Sequence, residues 1–274
     1  MTKLRIVNRS ALQGLVGALL VTAIIIAVLL APALAPHGEV DLVGDVWAPI
    51  GSGAPLGLDN LGRDMLSRVL YGGRITLLIT LGATGLSFVI GTVLGLVAAL
   101  SGGWIDGVTT RLVDAVMAMP PLICALVLLS VLGTSVPLLI MTIAVLASTR
   151  VFRLSHSLTG GIMALDFFEA ARLRGERLPW LACREVLPNI LPPLVTEFGL
   201  RLCSNFLLVA SLSFLGLGVQ PPLADWGSMV RENASAISFG ILAPLIPAAA
   251  IALFAIGVNL VVDWSLALQS RQQD

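Results

Sequence analysis

Apolar runs of about twenty residues alternate with shorter polar breaks along most of this chain. Twenty residues of helix span roughly 30 Å, the thickness of a bilayer's hydrocarbon core. The first run covers residues 11–35, and five more are expected at about 75–100, 112–132, 137–152, 195–217 and 241–262. Ten-residue strands of alternating polarity are absent from the sequence, which argues against a membrane barrel. The pattern predicts an all-α integral membrane protein with six transmembrane helices. Met119-Pro120-Pro121 falls inside the third run, and a proline pair there breaks or kinks a helix. Such breaks are tolerated where the backbone faces protein or a water-filled cavity.

The polar breaks divide the chain into residues 1–35 (tail and first helix), 36–74 (a first outer segment), 75–265 (a five-helix core) and 266–274 (a polar tail). Segment 36–74 opens as loop, with His37, Glu39, Asp41 and Asp45 among glycines and prolines. Asp59 and Asn60 then read as caps of a short helix from about Leu61. Its apolar face of Met65, Leu66, Val69 and Leu70 is expected to lie on the membrane surface. Residues 218–240 form a second loop on the same side.

The longest polar break, 166–194, carries Glu169, Arg172, Arg174, Glu176, Arg177, Arg184 and Glu185. It reads as a helix, a break at Gly175, a second amphipathic helix and a stop at Leu187-Pro188. Two short helices at a corner make a knob that a soluble partner can grip. Trp180 and Leu181 would be apolar anchors, with Glu169 and the arginines as a polar rim.

Composition agrees with a membrane protein: 57% of residues are hydrophobic and 12% charged, against roughly half and a quarter in soluble domains. Gly and Ala are plentiful, which suits helices packed closely through small residues. Cys124, Cys183 and Cys203 are odd in number and scattered, so they read as small hydrophobes, not as a disulfide framework or metal site. Basic residues are unevenly placed. With the N-terminus inside, the inner side holds Lys3, Arg5, Arg9, Arg111, Arg150, Arg153, Arg172, Arg174, Arg177, Arg184 and Arg271. The outer side holds Arg63, Arg68, Arg74 and Arg231. Eleven against four puts both termini and the 166–194 break in the cytoplasm.

Chemistry of the chain's own is not expected. Lys3 is the sole lysine, so no GxxxxGK[ST] phosphate loop exists. His37 and His156 stand far apart, no HExxH occurs, and Asp114 and Asp263 lie near span ends. There is no basic tract with interleaved aromatics for nucleic acid. Active transport would therefore draw on a partner or an ion gradient. A gradient-driven carrier or channel is the reading from a different class, but internal repeats and midplane ionisable residues of that kind are not evident. Within the fifth run, Glu197, Arg201 and Asn205 recur every four residues and share a face. Lipid is costly for such groups, so the face is expected to look toward protein or a cavity.

The spacing Glu169-Ala170-Ala171, three residues, Gly175, eleven residues, Leu187-Pro188 resembles the EAA coupling loop of ABC importer permease subunits. Residues 55–77 (PLGLDNLGRDMLSRVLYGGRITL) and 213–230 (SFLGLGVQPPLADWGSMV) are similar to the outer segments of the second permease type in dipeptide, oligopeptide and nickel importers. The resemblance covers roughly residues 55–265. Two positions depart from the family pattern: Glu185 stands where the family often has Ile, and Leu58 where Thr is common.

The resemblance implies the type I ABC importer permease fold, with a cytoplasmic two-helix coupling loop at 166–190, in a bacterial inner membrane. It implies as partners a second homologous permease subunit, two ATPase subunits that carry ATP and Mg, and an external substrate-binding protein. No cofactor is expected on this chain. Coupling to the ATPase would fall to Glu169, Ala170, Ala171, Gly175, Trp180, Leu187 and Pro188. Docking of the binding protein, or a gate, would involve Gly62, Arg63, Asp64, Gln220, Trp226 and Gly227. Read as residues alone, Gly62 and Gly227 are turns and Arg63–Asp64 is a local ion pair. Glu197, Arg201 and Asn205 read either as a self-satisfied pair near the inner interface or as lining of the inner mouth of the pathway. Short peptides are the expected cargo, with nickel, metal chelates, opines or glycosides as the alternative.

Lys3, Arg5 and Arg9 before an apolar run, with Ala33-Leu34-Ala35 after it, resemble a secretion signal. The run exceeds a signal's usual 7–15 residues, and Pro36 would hinder cleavage, so the first helix is expected to be retained. N-terminal sequencing of the membrane-inserted protein should therefore begin upstream of Pro36; a start at Pro36 would show that the run is removed.

Overall fold

The computed structural model describes residues 2–51 and 53–272, with side-chain surroundings from residue 12 to residue 267. Lys3, Arg5, Arg9 and Arg271, part of the expected charge bias, fall outside the described side chains, and the last two tail residues outside the described chain. The elements in order are α1 (Thr2–Leu29), α2 (Ala31–Leu34), α3 (Met65–Ser101), α4 (Gly103–Met117), α5 (Pro121–Leu132), α6 (Val136–Met163), α7 (Asp166–Leu173), α8 (Leu178–Trp180), α9 (Leu187–Phe214), α10 (Trp226–Glu232) and α11 (Leu245–Gln272). A π-helical segment, Leu181–Val186, joins α8 to α9, and a 3-10 turn, Ala234–Phe239, follows α10. Among the described residues β structure amounts to two isolated bridges, Leu42 to Arg63 and Leu58 to Asp64. Among the described residues five helical stretches are long and apolar enough to cross a membrane, and six if the bent pair α4–α5 counts as one span.

Several expected boundaries are corrected. The short surface helix from Leu61 and the second span are one helix, α3, of 37 residues. The division at 74/75 therefore falls inside a helix. Asp64, not Asp59 or Asn60, is its cap: the Asp64 carboxylate accepts from the Ser67 backbone N–H at 3.0 Å. The third run is broken, not merely kinked. α4 and α5 meet at 90° around the Pro120–Pro121 pair, because Pro121 can start a helix but not continue one. The fourth span extends through Met163, and the last helix runs on through the polar tail to Gln272.

Leu187-Pro188 does not stop a helix either; 178–214 is helical throughout. A proline ring clashes with the carbonyl four residues back, here that of Arg184. That carbonyl lies in the π segment, whose wider turn leaves room for the ring.

Close backbone contact organises the bundle. α3 and α6 run parallel, with Gly82 beside Ile140, Gly91 beside Ser148 and Gly95 beside Ser155. A Cβ at Gly91 would lie 2.6 Å from the Ser148 carbonyl oxygen, and one at Gly95 2.9 Å from that of Phe152. The Gly-x-x-x-Gly spacing thus lets two backbones approach where side chains would hold them apart. The α1–α11 pair uses the same device: a Cβ at Gly17 would lie 2.8 Å from the Gly257 carbonyl oxygen. α4 is tied to α6 by polar side chains: Asp106 meets His156 at 2.8 Å, and Asp114 pairs with Arg153. Apolar clusters fill the two ends. One gathers Phe206, Trp226 and Phe254 with Val28 and Met65; another gathers Phe168, Leu181 and Ile190 with Leu96 and Val151. The three cysteines are free, with Cys124 and Cys203 buried and Cys183 exposed.

Gly91→Leu is expected to force α3 and α6 apart and cost about 1–3 kcal/mol or more. A lowered melting temperature of the detergent-solubilised protein, with Gly85→Leu as the open-space control, checks this; equal melting of the two variants would refute it.

Candidate functional site

At one end of the bundle, α7 and α8 form a corner. α7 buries Phe168 and Ala171 against α6 and the π segment, while Glu169, Ala170, Arg172 and Leu173 face outward. Leu173 is 82% exposed, which no packing inside this chain explains. Gly175 turns the corner at φ +82°, a conformation that strains other residues, with nothing within 4 Å of where a Cβ would stand. Backbone geometry, then, and not crowding, makes glycine the fitting residue. Beyond it, Leu178 and Trp180 are exposed and Leu181 is fully buried. Of the two expected anchors, only Trp180 is therefore available to a partner. Glu185, at the family's usual Ile position, lies 3.8 Å from Arg174 and so bridges the corner. Leu187 is partly buried and Pro188 exposed.

Deeper in the bundle, Glu197, Arg201 and Asn205 do share a face of α9. Arg201 donates to Glu197 at 2.5 Å, and Asn205, buried, donates to Thr84 of α3 at 3.0 Å. Arg201 and Asn205 line a cleft of about 320 Å³ between α5, α6 and α9. Across it stands Arg150 of α6. Arg150 is not at the end of its span, as its position near residue 152 implied; the helix continues thirteen residues further.

At the opposite end, a buried ionic cluster joins the 36–64 segment to α10. Asp59 accepts from Arg63 at 2.7 Å and from Arg68 at 2.6 Å, while Glu232 accepts from the same arginines at 3.3 and 3.0 Å. Arg68 is 1% exposed and Asp59 0%. The Arg63–Asp64 pair is thus corrected: Arg63 turns to Asp59 and Glu232, and Asp64 caps α3. Gly62, at φ +77°, packs against the Gly44 carbonyl oxygen. Asn233 accepts from the Trp47 indole at 3.2 Å and the Asn60 backbone at 3.0 Å, and Glu39 accepts from the Ala224 N–H. Leu58 is buried, so an apolar residue suits that position.

Trp226 is buried, donating from its ring to the Val69 carbonyl at 2.8 Å and from its backbone to Thr76 at 3.2 Å. Gly227 is helical and packs on Ala210, not a turn. Asp225 caps α10 through Gly227 and Ser228. Burial pushes its carboxyl above the ordinary carboxylate range, and the Ser228 and Gly227 hydrogen bonds pull it back. Of the six residues expected to dock a partner here, Gln220 alone is exposed, and it folds back to the Gly216 and Gly218 carbonyls. The other five build the support beneath that surface.

The sequence profile of one family, the binding-protein-dependent transport system inner membrane component, matches residues 91–273. The chain belongs to this family. Its relatives agree. The di/tripeptide transport system permease protein of Pseudomonas aeruginosa is 34% identical over 263 residues, 93% of this chain and 86% of that protein. The dipeptide transport system permease protein of Haemophilus influenzae is 34% identical, over 82% of this chain and 78% of its own. The glutathione transport system permease protein of Pectobacterium atrosepticum is 33% identical, over 76% and 69%. In fold, the chain is similar to the crystal structure of an amino acid ABC transporter with histidines: TM-score 0.53 and 18% identity, over 74% of this chain and 93% of that one.

The protein is accordingly a multi-pass permease subunit of an ABC importer, working with ATPase and binding-protein partners in the membrane. Two features of the permease were missed from sequence, each with a signal that could have found it. Gly91-x-x-x-Gly95 is a helix-contact spacing inside an apolar run. Arg150 stands only fourteen residues after Val136, too few for the end of a spanning helix. Glu232 carried no sequence signal, since its partners lie more than 160 residues away.

In the permease, Asp59→Asn would leave two buried guanidiniums on one carboxylate and is expected to cost about 3–5 kcal/mol. The melting temperature of the purified subunit measures this; a value equal to wild type would mean that the cluster contributes nothing.

Proposed function

We propose that this permease forms half of a pathway for short peptides and is driven through the 166–190 corner by a partner ATPase. On this reading the corner and both termini are cytoplasmic, and α10 lies on the outer side of a bacterial inner membrane. A second homologous permease completes the pathway. Two ATPase subunits hold ATP and Mg, while this chain catalyses nothing and carries no cofactor. An external binding protein delivers the cargo. Relatives named for dipeptide, di/tripeptide and glutathione transport support a short peptide as cargo.

The observation that carries this reading is how the corner is rooted. α7 packs on α6 and on the π segment that leads into α9, and residues 178–214 run without interruption into the Arg201 face. A partner gripping Glu169, Leu173, Leu178 and Trp180 holds both roots at once. Closure of the ATPases then shifts α6 against α9, with Gly175 as the flexible joint. These two helices carry the walls of the cleft, so such a shift widens or closes it. Ala170 offers the partner a small contact, and Leu187-Pro188 begins the helix that carries the motion onward.

Glu169→Lys and Gly175→Val should each leave the permease inserted. Each should lower ATP-dependent peptide uptake at least about tenfold while ATP hydrolysis by the partners persists. Uptake and hydrolysis in reconstituted vesicles measure this directly, and uptake at wild-type rates would count decisively against the corner as the coupling element.

A further inference from the structure

The cleft between α5, α6 and α9 contains a charge that no other described residue of the chain answers. Arg150 lies fourteen residues from the start of α6 and Arg201 thirteen from the end of α9. At the helical rise each is about 20 Å from the α10 end of its helix, so the two guanidiniums sit at similar depth. That depth is well inside a hydrocarbon core of roughly 30 Å. Arg201 is engaged by Glu197, and Asn205 by Thr84. Among the described residues Arg150 has neither an ion-pair nor a hydrogen-bond partner, and it is exposed. Most of the remaining wall is apolar: Pro121, Leu122, Leu146, Ala147, Leu207 and Leu208. Two guanidiniums against one carboxylate leave the face with one net positive charge.

Arginine cannot escape this position by losing its proton. At membrane depth it must meet water or an anion. Its planar fork matches a carboxylate better than any other common anion except phosphate. A short peptide with a free C-terminus always presents one carboxylate at neutral pH. We propose that Arg150 is a substrate-contacting residue of the pathway and receives the C-terminal carboxylate of the passing peptide. This rests on the reading that the cleft lines the pathway. Arg201, already neutralised by Glu197, is the weaker attractor, so the carboxylate is drawn to the α6 side and the peptide enters with one orientation. The same net charge repels a bare divalent cation, which sets this pathway against nickel ion as cargo.

The test uses the complete complex with its ATPases and binding protein in proteoliposomes, with trialanine and its C-terminal amide as probes. Arg150→Lys, Arg150→Gln and Arg150→Glu are compared with wild type. Each peptide's uptake is expressed relative to wild type, so the binding protein's own preference cancels. Trialanine uptake is expected to stay within about twofold in Arg150→Lys, fall about tenfold in Arg150→Gln and fall further in Arg150→Glu. Assembly and binding-protein-stimulated ATP hydrolysis should be unchanged, as should whatever uptake the amide shows. Unchanged trialanine uptake in Arg150→Gln, or an equal fall for both peptides, overturns the proposal. Loss of assembly in Arg150→Gln also overturns it, by assigning Arg150 to an ion pair with the second permease. Absence of ATP-dependent trialanine uptake in the wild-type complex is a different result: it rejects the peptide pathway itself, and this inference with it.

Discussion

The backbone contact between α3 and α6 is the constraint on which the rest of the molecule depends. Without side chains at Gly91 and Gly95, two long parallel helices touch along their middles. Helices in lipid gain nothing from hiding apolar surface, because the tails are equally apolar; packing must come from close approach. Once α3 and α6 are joined, both ends of the molecule have a platform. The first turns of α3 supply Asp64 and Arg68 to one end. Leu96 near the end of α3 and Val151 of α6 belong to the apolar cluster that takes up Phe168 of α7 at the other.

α9 is the element that stands apart from this pair. It runs antiparallel to α3, touching it through Asn205–Thr84 and through Phe198, whose ring lies 5.1 Å from Phe88. Its entrance contains a π segment followed by Pro188, Pro192 and Pro193. Prolines remove backbone hydrogen bonds, so this stretch resists bending less than α3 does. A rigid pair beside a softer helix, with one corner fixed to both, is an arrangement in which pulling on the corner alters the space between them. That space is the cleft holding Arg150 and Arg201.

Much of this was legible in the sequence, for reasons that differ by element. The spans declared themselves because lipid imposes an apolar run of fixed length. The corner declared itself because Glu169, Gly175 and Pro188 sit at fixed spacing, and Gly175 does occupy a positive φ. Boundaries were less legible. Met65, Leu66, Val69 and Leu70 form an apolar face on a surface helix or on the first turns of a span alike, and only the Asp64 cap distinguishes the two. Pro188 read as a stop because a proline's local effect is known, whereas the π turn that accommodates it comes with Leu181 and Val186 buried where the segment packs on α6 and α7. The place of Glu232 beside Arg63 and Arg68 was illegible for the plainest reason: it is brought there by the whole fold. Glu185, anomalous as a motif position, becomes ordinary once Arg174 is seen across the corner.

The two ends of the molecule use charge in opposite ways, and dielectric surroundings explain what each does. At the α10 end two arginines and two carboxylates are nearly dry. Such a neutral cluster adds little net stability compared with an apolar core, but removing one member is costly because the rest are left buried. It therefore tolerates no partial opening and fixes the 36–64 segment on α10. At the corner, Arg174 and Glu185 are 3.8 Å apart with Arg174 more than half exposed, and a solvated pair of that kind contributes roughly 1 kcal/mol or less. It steadies the corner without locking it. A displacement applied at the corner is thus resisted weakly where it begins and strongly at the far end. The cleft between them lies where the displacement must be taken up.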